Sequence, residues 1–237
     1  MTKYSDKFLG ALGEWQQGWN EDKEKRLLIT EKLKNALAVE PSISPSALAV
    51  SVPCYRRRYI SNLNPQNGGD MVELFLNGYI EEGVSSWSTD YDYVKTQFKK
   101  GHREGWIASI FCVQKIDPSD VVLNINELWK DNDFKQDVNV YVSNEKPYAN
   151  ALTNFSNKQS EVILRVPLKI EEVYAFCGKV PALEDLCSNA GIDSSDEEDL
   201  IWNKMMEQGF VPTEEYWIEG GRALAAVSKT QDRFLRK

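Results

Sequence analysis

The first apolar positions of the chain fall on a helical period. Phe8, Leu12, Trp15 and Trp19 are spaced by four, three and four residues, which predicts a helix over about 4–20 with one apolar face. A charged second helix is expected over 21–39, with Leu28, Leu33 and Leu37 among its apolar positions, and Pro41 to Pro45 stops it. From Ala47 the texture changes. Leu48, Val50, Val52 and Tyr55 predict a strand over 47–59, and Asn62 to Asp70 reads as a polar turn region. A short helix is expected over 71–80, a strand ending at Trp87-Ser88-Thr89, and a helix over 91–100 opened by Ser88, Thr89 or Asp90.

Strands are then expected over 106–116 and 121–125, a helical turn over 126–134, and a strand over 138–142. Ser143 to Lys158 reads as a long, polar, irregular stretch that delivers the chain to Gln159 and Glu161. Val162-Ile163-Leu164 is a core strand. Gln159 and Glu161 are expected on one face at its mouth, with Ser160 pointing away. Ile170 to Cys177 is expected as a last strand. Helices are expected over 182–190, 196–208 and 222–237, with Tyr216-Trp217-Ile218 as an apolar patch between them.

Composition narrows the classes. The 237 residues are 42% hydrophobic and 27% charged, which suits one ordinary domain with helical additions. The expected organisation is a helical region over 1–45, a core over 46–180 and a helical region over 181–237. A net charge of -8 weakens general attraction to nucleic acid, although Arg56-Arg57-Arg58 and Lys99 to Arg103 are local basic clusters. The apolar run Trp106 to Val113 is too short to cross a bilayer, and no signal peptide is visible, so the expectation is a cytoplasmic chain without a membrane partner. Four scattered cysteines (Cys54, Cys112, Cys177, Cys187) and one histidine predict reduced thiols and no metal site.

Three polar sites end apolar strand-like runs: Tyr55-Arg56, Trp87-Ser88-Thr89 and Gln159-x-Glu161. In this order they resemble the arginine–serine–glutamate branch of the mono-ADP-ribosyltransferases. In that family an aromatic-Arg pair ends the first strand, a Ser-Thr-Ser element ends the second, and a Gln-x-Glu or Glu-x-Glu pair opens a later one. The resemblance spans about Val50 to Gly178. It departs at Asp90, which stands where the family's third hydroxyl would be, and Tyr55 is what selects Arg56 among three arginines.

The resemblance implies an α+β fold: an ADP-ribosyltransferase-like core of two packed, mainly antiparallel sheets with flanking helices. It implies NAD as co-substrate. Arg56 would grip the pyrophosphate with parallel charge-assisted bonds, and Ser88, Thr89 and Tyr91 would complete the NAD site. Glu161 would face the positive charge that develops on the ribose, Ser88 would support it, and Gln159 would orient the acceptor. Tyr148 and Phe155 are available to stack on nicotinamide or target. Gln159 in place of a carboxylate argues for a non-arginine acceptor, in a protein or a nucleic-acid base. A toxin of this kind would need an antitoxin in the cell that makes it. The alternatives are a catalytically silent interaction module and an NAD glycohydrolase.

Overall fold

The computed structural model describes residues 2–18, 23–61, 70–97, 106–178 and 216–236, with a few helical positions between 200 and 207. The expectations for Trp19, for the turn region 62–69, for the basic cluster around His102, for Cys187 and for most of 179–215 lie outside these residues.

The elements in chain order are helices α1 (Asp6–Gln17) and α2 (Lys23–Leu37), strand β1 (Cys54–Ser61), helix α3 (Asp70–Asn77), strands β2 (Tyr79–Ile80) and β3 (Val84–Ser88), and helix α4 (Tyr91–Gln97). Strands β4 (Trp106–Val113) and β5 (Val121–Asn124) precede helices α5 (Ile125–Leu128), α6 (Asn132–Ser143) and α7 (Ala149–Phe155). Among the described residues, strands β6 (Glu161–Arg165), β7 (Leu168–Lys169), β8 (Val173–Gly178) and β9 (Tyr216–Glu219) and helix α8 (Gly220–Leu235) follow. The class is mixed α+β, with a large antiparallel sheet and a second one of two strands.

The chain divides into two compact units. Unit one comprises Met1–Arg56, Glu81–Gln97 and Cys112–Leu168, and unit two Arg57–Ile80, Phe98–Phe111 and Lys169–Lys237.

In unit one, β3 lies between β1 and β6, and β5 pairs with the far side of β6. The register sets Val84 against Arg165 and Ser88 against Glu161, while Tyr55 faces Ser88 from β1. One side of this sheet is covered by α1. Phe8, Leu12 and Trp15 are buried at spacings of four and three, so they point the same way from the helix, and Tyr4, just before it, is buried with them. They pack with Ile29 and Leu33 of α2, Phe134, Val138 and Tyr141 of α6, Leu152 of α7, and Leu123 and Ile163 of the sheet. Two buried carboxylates anchor the start of α1. Asp137 accepts the backbone N–H groups of Lys3 and Tyr4, each at 2.7 Å, and Glu40 accepts the Ser5 N–H and hydroxyl.

Helix α1 approaches its neighbours closely because of two glycines. A Cβ on Gly13 would stand 2.7 Å from the Tyr148 carbonyl oxygen, and one on Gly10 would stand 2.9 Å from the Tyr141 hydroxyl.

In unit two, β8 lies between β4 and β9, and α8 packs on β8 and on α3. Gly78, at φ 80°, ends α3 in a left-handed turn closed by its N–H to the Leu74 carbonyl.

Several sequence expectations change. Residues 138–142 are helical, not a strand: Phe134, Val138 and Tyr141 are the buried set, spaced by four and three, and Val140 is exposed. The alternation of Val138, Val140 and Val142 was a coincidence of period. The stretch 143–158 is not irregular throughout, because it contains α7. Leu48 belongs to a 3-10 turn capped by Ser44, so the first strand begins only at Cys54. In α2 the inward set is Ile29, Leu33 and Ala36, while Leu28 is exposed. Tyr216-Trp217-Ile218 is a strand paired with β8 rather than an isolated patch, and the expected strand from Ile170 opens with a 3-10 turn before β8.

Candidate active site

The three segments singled out in the sequence meet in unit one. Tyr55 of β1, Ser88 of β3 and Glu161 of β6 occupy one row across three neighbouring strands. Directly opposed residues of antiparallel strands share a face, so the three side chains project together. Beside this row, the Tyr55 and Tyr91 rings lie 5.3 Å apart and tilted by 55°.

Glu161 is the centre. It is 5% exposed, and its Oε1 accepts two hydrogen bonds, from the Ser86 hydroxyl at 2.6 Å and from the Trp15 indole N–H at 3.0 Å. Burial pushes the carboxyl above the usual range. The Ser86, Trp15 and Gln16 side chains and the Arg56 charge act in the opposite direction. Both donors converge on Oε1, so they fix the carboxylate plane and leave Oε2 to neither of them.

The Ser88 hydroxyl does something else. It donates to the Gln159 carbonyl at 2.6 Å and accepts from the Asp90 N–H at 3.0 Å. The Thr89 N–H donates to the Ser160 carbonyl at 3.1 Å. Ser88 and Thr89 thus hold the turn that leads into β6, and Ser86, two residues earlier on the same face, reaches the carboxylate. Asp90 caps α4 by accepting the Tyr93 N–H at 2.9 Å, which explains an acid at this position.

Gln159 is not in the strand. Ser160 has φ 45°, a left-handed conformation uncommon for a residue with a side chain, and β6 begins only at Glu161. Strand alternation therefore does not set the direction of Gln159. Its side chain instead hydrogen-bonds Tyr93, whose hydroxyl is pushed up first by burial, with Glu161 adding to the effect and Gln159 opposing it.

Arg56 contacts Glu82 Oε2 at 2.6 Å and the Ser86 carbonyl at 2.7 Å. Glu82 is 4% exposed and also approaches Arg26 of α2, whose guanidinium donates to the Glu82 carbonyl at 2.7 Å. Two nitrogens of Arg56 are therefore occupied within the protein, and its buried Nε makes no hydrogen bond. Arg57 and Arg58 have partners in unit two. Arg57 lies 5.1 Å from the Tyr59 and Trp217 ring centres, and Arg58 pairs with Asp70 at 3.3 Å.

Tyr148 and Phe155 do not join the Glu161 row. They line a cavity of about 860 Å³ together with Gln17, Glu145, Asn150 and Asn154. Tyr148 has φ 61° at the start of α7 and is exposed.

Trp15, Gln16, Ser86, Tyr93 and Glu82 were missed in the sequence. Ser86 was legible in principle, since it shares a strand face with Ser88. Trp15 was absorbed into an apolar stripe, which says nothing of where its N–H points.

Among the described residues no group of three His, Cys, Asp or Glu side chains is arranged to hold a metal ion. Cys54, Cys112 and Cys177 are buried free thiols, and burial pushes the Cys54 thiol up to about 12. No helix among the described residues is long and apolar enough to cross a membrane. Compared with family models, curated proteins and solved structures, the chain matches none of them.

Proposed function

We propose that this chain is an NAD-dependent mono-ADP-ribosyltransferase built on an ADP-ribosyltransferase-like core. It would act as an intracellular toxin or effector on a macromolecular target. The observation that supports this most directly is the row Tyr55–Ser88–Glu161, with the Arg56 charge acting on the same carboxylate. Side chains from three distant segments share one face of one sheet. The carboxylate at its end is held in a fixed plane by two donors.

In this reading Oε2 of Glu161 accepts a hydroxyl of the nicotinamide ribose. The bond between ribose C1′ and the nicotinamide nitrogen breaks, and its electron pair leaves with nicotinamide. The buried carboxylate stabilises the positive charge left on the ribose. An acceptor N, O or S atom then bonds to C1′ and releases its proton, so NAD and acceptor give ADP-ribosylated acceptor, nicotinamide and a proton. Gln159, with Tyr93 beside it, orients a neutral acceptor. Ser88 and Thr89 hold the turn that presents Gln159 and Glu161, and Tyr91 and Tyr55 offer ring surface to the dinucleotide. Arg56 acts through Glu82 and the charge it places near Glu161, and a direct grip on pyrophosphate would require it to leave Glu82.

A second reading is a silent interaction module of the same fold. One observation favours it: a carboxylate only 5% exposed, covered by α1, is also what a structural glutamate looks like. Incubation with labelled NAD and separate protein, RNA and DNA pools decides between them. Label transferred to one pool by the parent and lost with Glu161→Gln supports the transferase. Free ADP-ribose without a labelled pool supports glycohydrolysis, and no turnover with full biological effect for Glu161→Gln supports the silent module. If the transferase arrests growth when expressed alone, an antitoxin is its expected partner.

A further inference from the structure

The side chain of Gln16 is hard to account for as packing. It is 8% exposed, and neither its Oε1 nor its Nε2 makes a hydrogen bond of good geometry, although it lies close enough to Glu161 to favour the charged carboxylate. A carboxamide carries two donors and an acceptor. Burying it without partners costs free energy that an apolar residue of the same size would not. Buried side-chain polar atoms nearly always have a partner, so this exception needs a reason. Its place in α1 supplies one. Gln16 stands between Trp15, which holds the Glu161 carboxylate, and Gln17, which lines the cavity beside α7.

We infer that Gln16 is a specificity residue of the Glu161 site, recognising a ligand group that offers a hydrogen-bond donor and an acceptor side by side. This rests on the transferase reading, in which that group is the primary carboxamide of the nicotinamide ring. The match is chemical. One carboxamide meets another by exchanging an N–H and a C=O, which satisfies both Gln16 atoms at once. It is also consistent with the placement of the ligand. The carboxamide is carried by the ring bonded to the ribose carbon next to the hydroxyl that Glu161 would hold, so one molecule reaches both side chains.

The test is calorimetric binding of two dinucleotides to the full chain: NAD, and the analogue with an acetyl group in place of the carboxamide, which keeps the acceptor and loses the donors. The parent is expected to bind NAD about tenfold more tightly than the analogue, the effect of one hydrogen bond. Gln16→Leu is expected to bind both with the same weakened Kd and to melt at a higher temperature. A purely structural glutamine predicts a higher melting temperature too, but leaves the preference for NAD over the analogue unchanged. Gln16→Met, closer in shape, is the second variant and carries the same expectation if leucine does not fit. A preference for NAD that survives in these variants overturns the inference and leaves the transferase reading standing. So does a parent that binds both dinucleotides equally. A parent that binds neither dinucleotide overturns both.

Discussion

Trp15 donates its indole N–H to Oε1 of Glu161 at 3.0 Å, joining residues 146 positions apart in the chain. The first helix is therefore part of the candidate site and not an appendage to it. An aromatic ring that packs with Leu12 and Phe8 also orients the carboxylate on which the proposed chemistry depends.

Glu161→Gln keeps the shape and the acceptor oxygen and removes the charge. Because burial raises the folded pKa of Glu161, the folded state holds its proton more tightly than the unfolded chain does. The carboxyl therefore contributes stability below its unfolded value of 4.5, and this contribution is lost as pH rises through the folded value. The variant is expected to match or exceed the parent in Tm at neutral pH. The parent should regain ground as the buffer is taken below the unfolded value. Label transfer from NAD should fall by about 10²-fold or more. Parallel melting curves across pH check the first expectation, and the NAD assay the second.

Ser86→Ala and Ser88→Ala should separate two jobs. Ser86 bonds the carboxylate, so its loss should lower kcat more than it raises KM and move the acid limb of the pH–rate profile upward. Ser88 bonds the backbone of Gln159, so its loss should loosen the turn before β6 and leave the acid limb in place. Identical profiles for the two variants would remove the distinction.

Gly13→Ala sets two magnitudes against each other. Alanine in a helix interior is ordinarily favoured over glycine by about 0.5–1 kcal/mol. Here the new Cβ would stand 2.7 Å from a backbone carbonyl oxygen, that of Tyr148, which cannot rotate away like a side chain. Overpacking of this kind costs about 1–3 kcal/mol, so a net destabilisation is expected in urea unfolding. Gly221→Ala, in α8 with nothing near its Cβ, is the control expected to show no loss.

Glu82→Ala leaves the part-buried guanidinium of Arg56 without its carboxylate and removes one contact of Arg26, at 3.9 Å. Breaking a buried ion pair from one side costs about 3–5 kcal/mol. Arg56 is part-buried, so denaturant unfolding should show a loss below that range, and the double variant Glu82→Ala with Arg56→Met should recover part of it.

What could be read from the sequence follows from which physics it displays. Ser88 ends an apolar run and Glu161 opens one, and such strand ends are visible in hydrophobic pattern alone, whereas Tyr55, expected to end a strand, stands at the start of β1. The direction of a polar atom is not. Trp15 reads as one more member of a stripe, and its N–H finds Glu161 only when α1 lies across β6. Gln159 was misdirected because a left-handed Ser160 leaves no mark in composition. Residues 134–142 fit both a period of two and a helical one. The choice was made by the tertiary demand to bury Phe134, Val138 and Tyr141 together.

The span between Trp15 and Glu161 has a consequence for biosynthesis. At a synthesis rate of roughly 5–20 residues per second, the helix that begins at Asp6 waits on the order of ten to thirty seconds for the strand that covers it. Of the groups that bury Tyr4, Phe8, Leu12 and Trp15, only Ile29, Leu33 and Ala36 of α2 are made early, so the stripe stays incompletely covered on the nascent chain for that interval. A ribosome-associated chaperone should therefore engage this segment early and let go only after β6 has emerged.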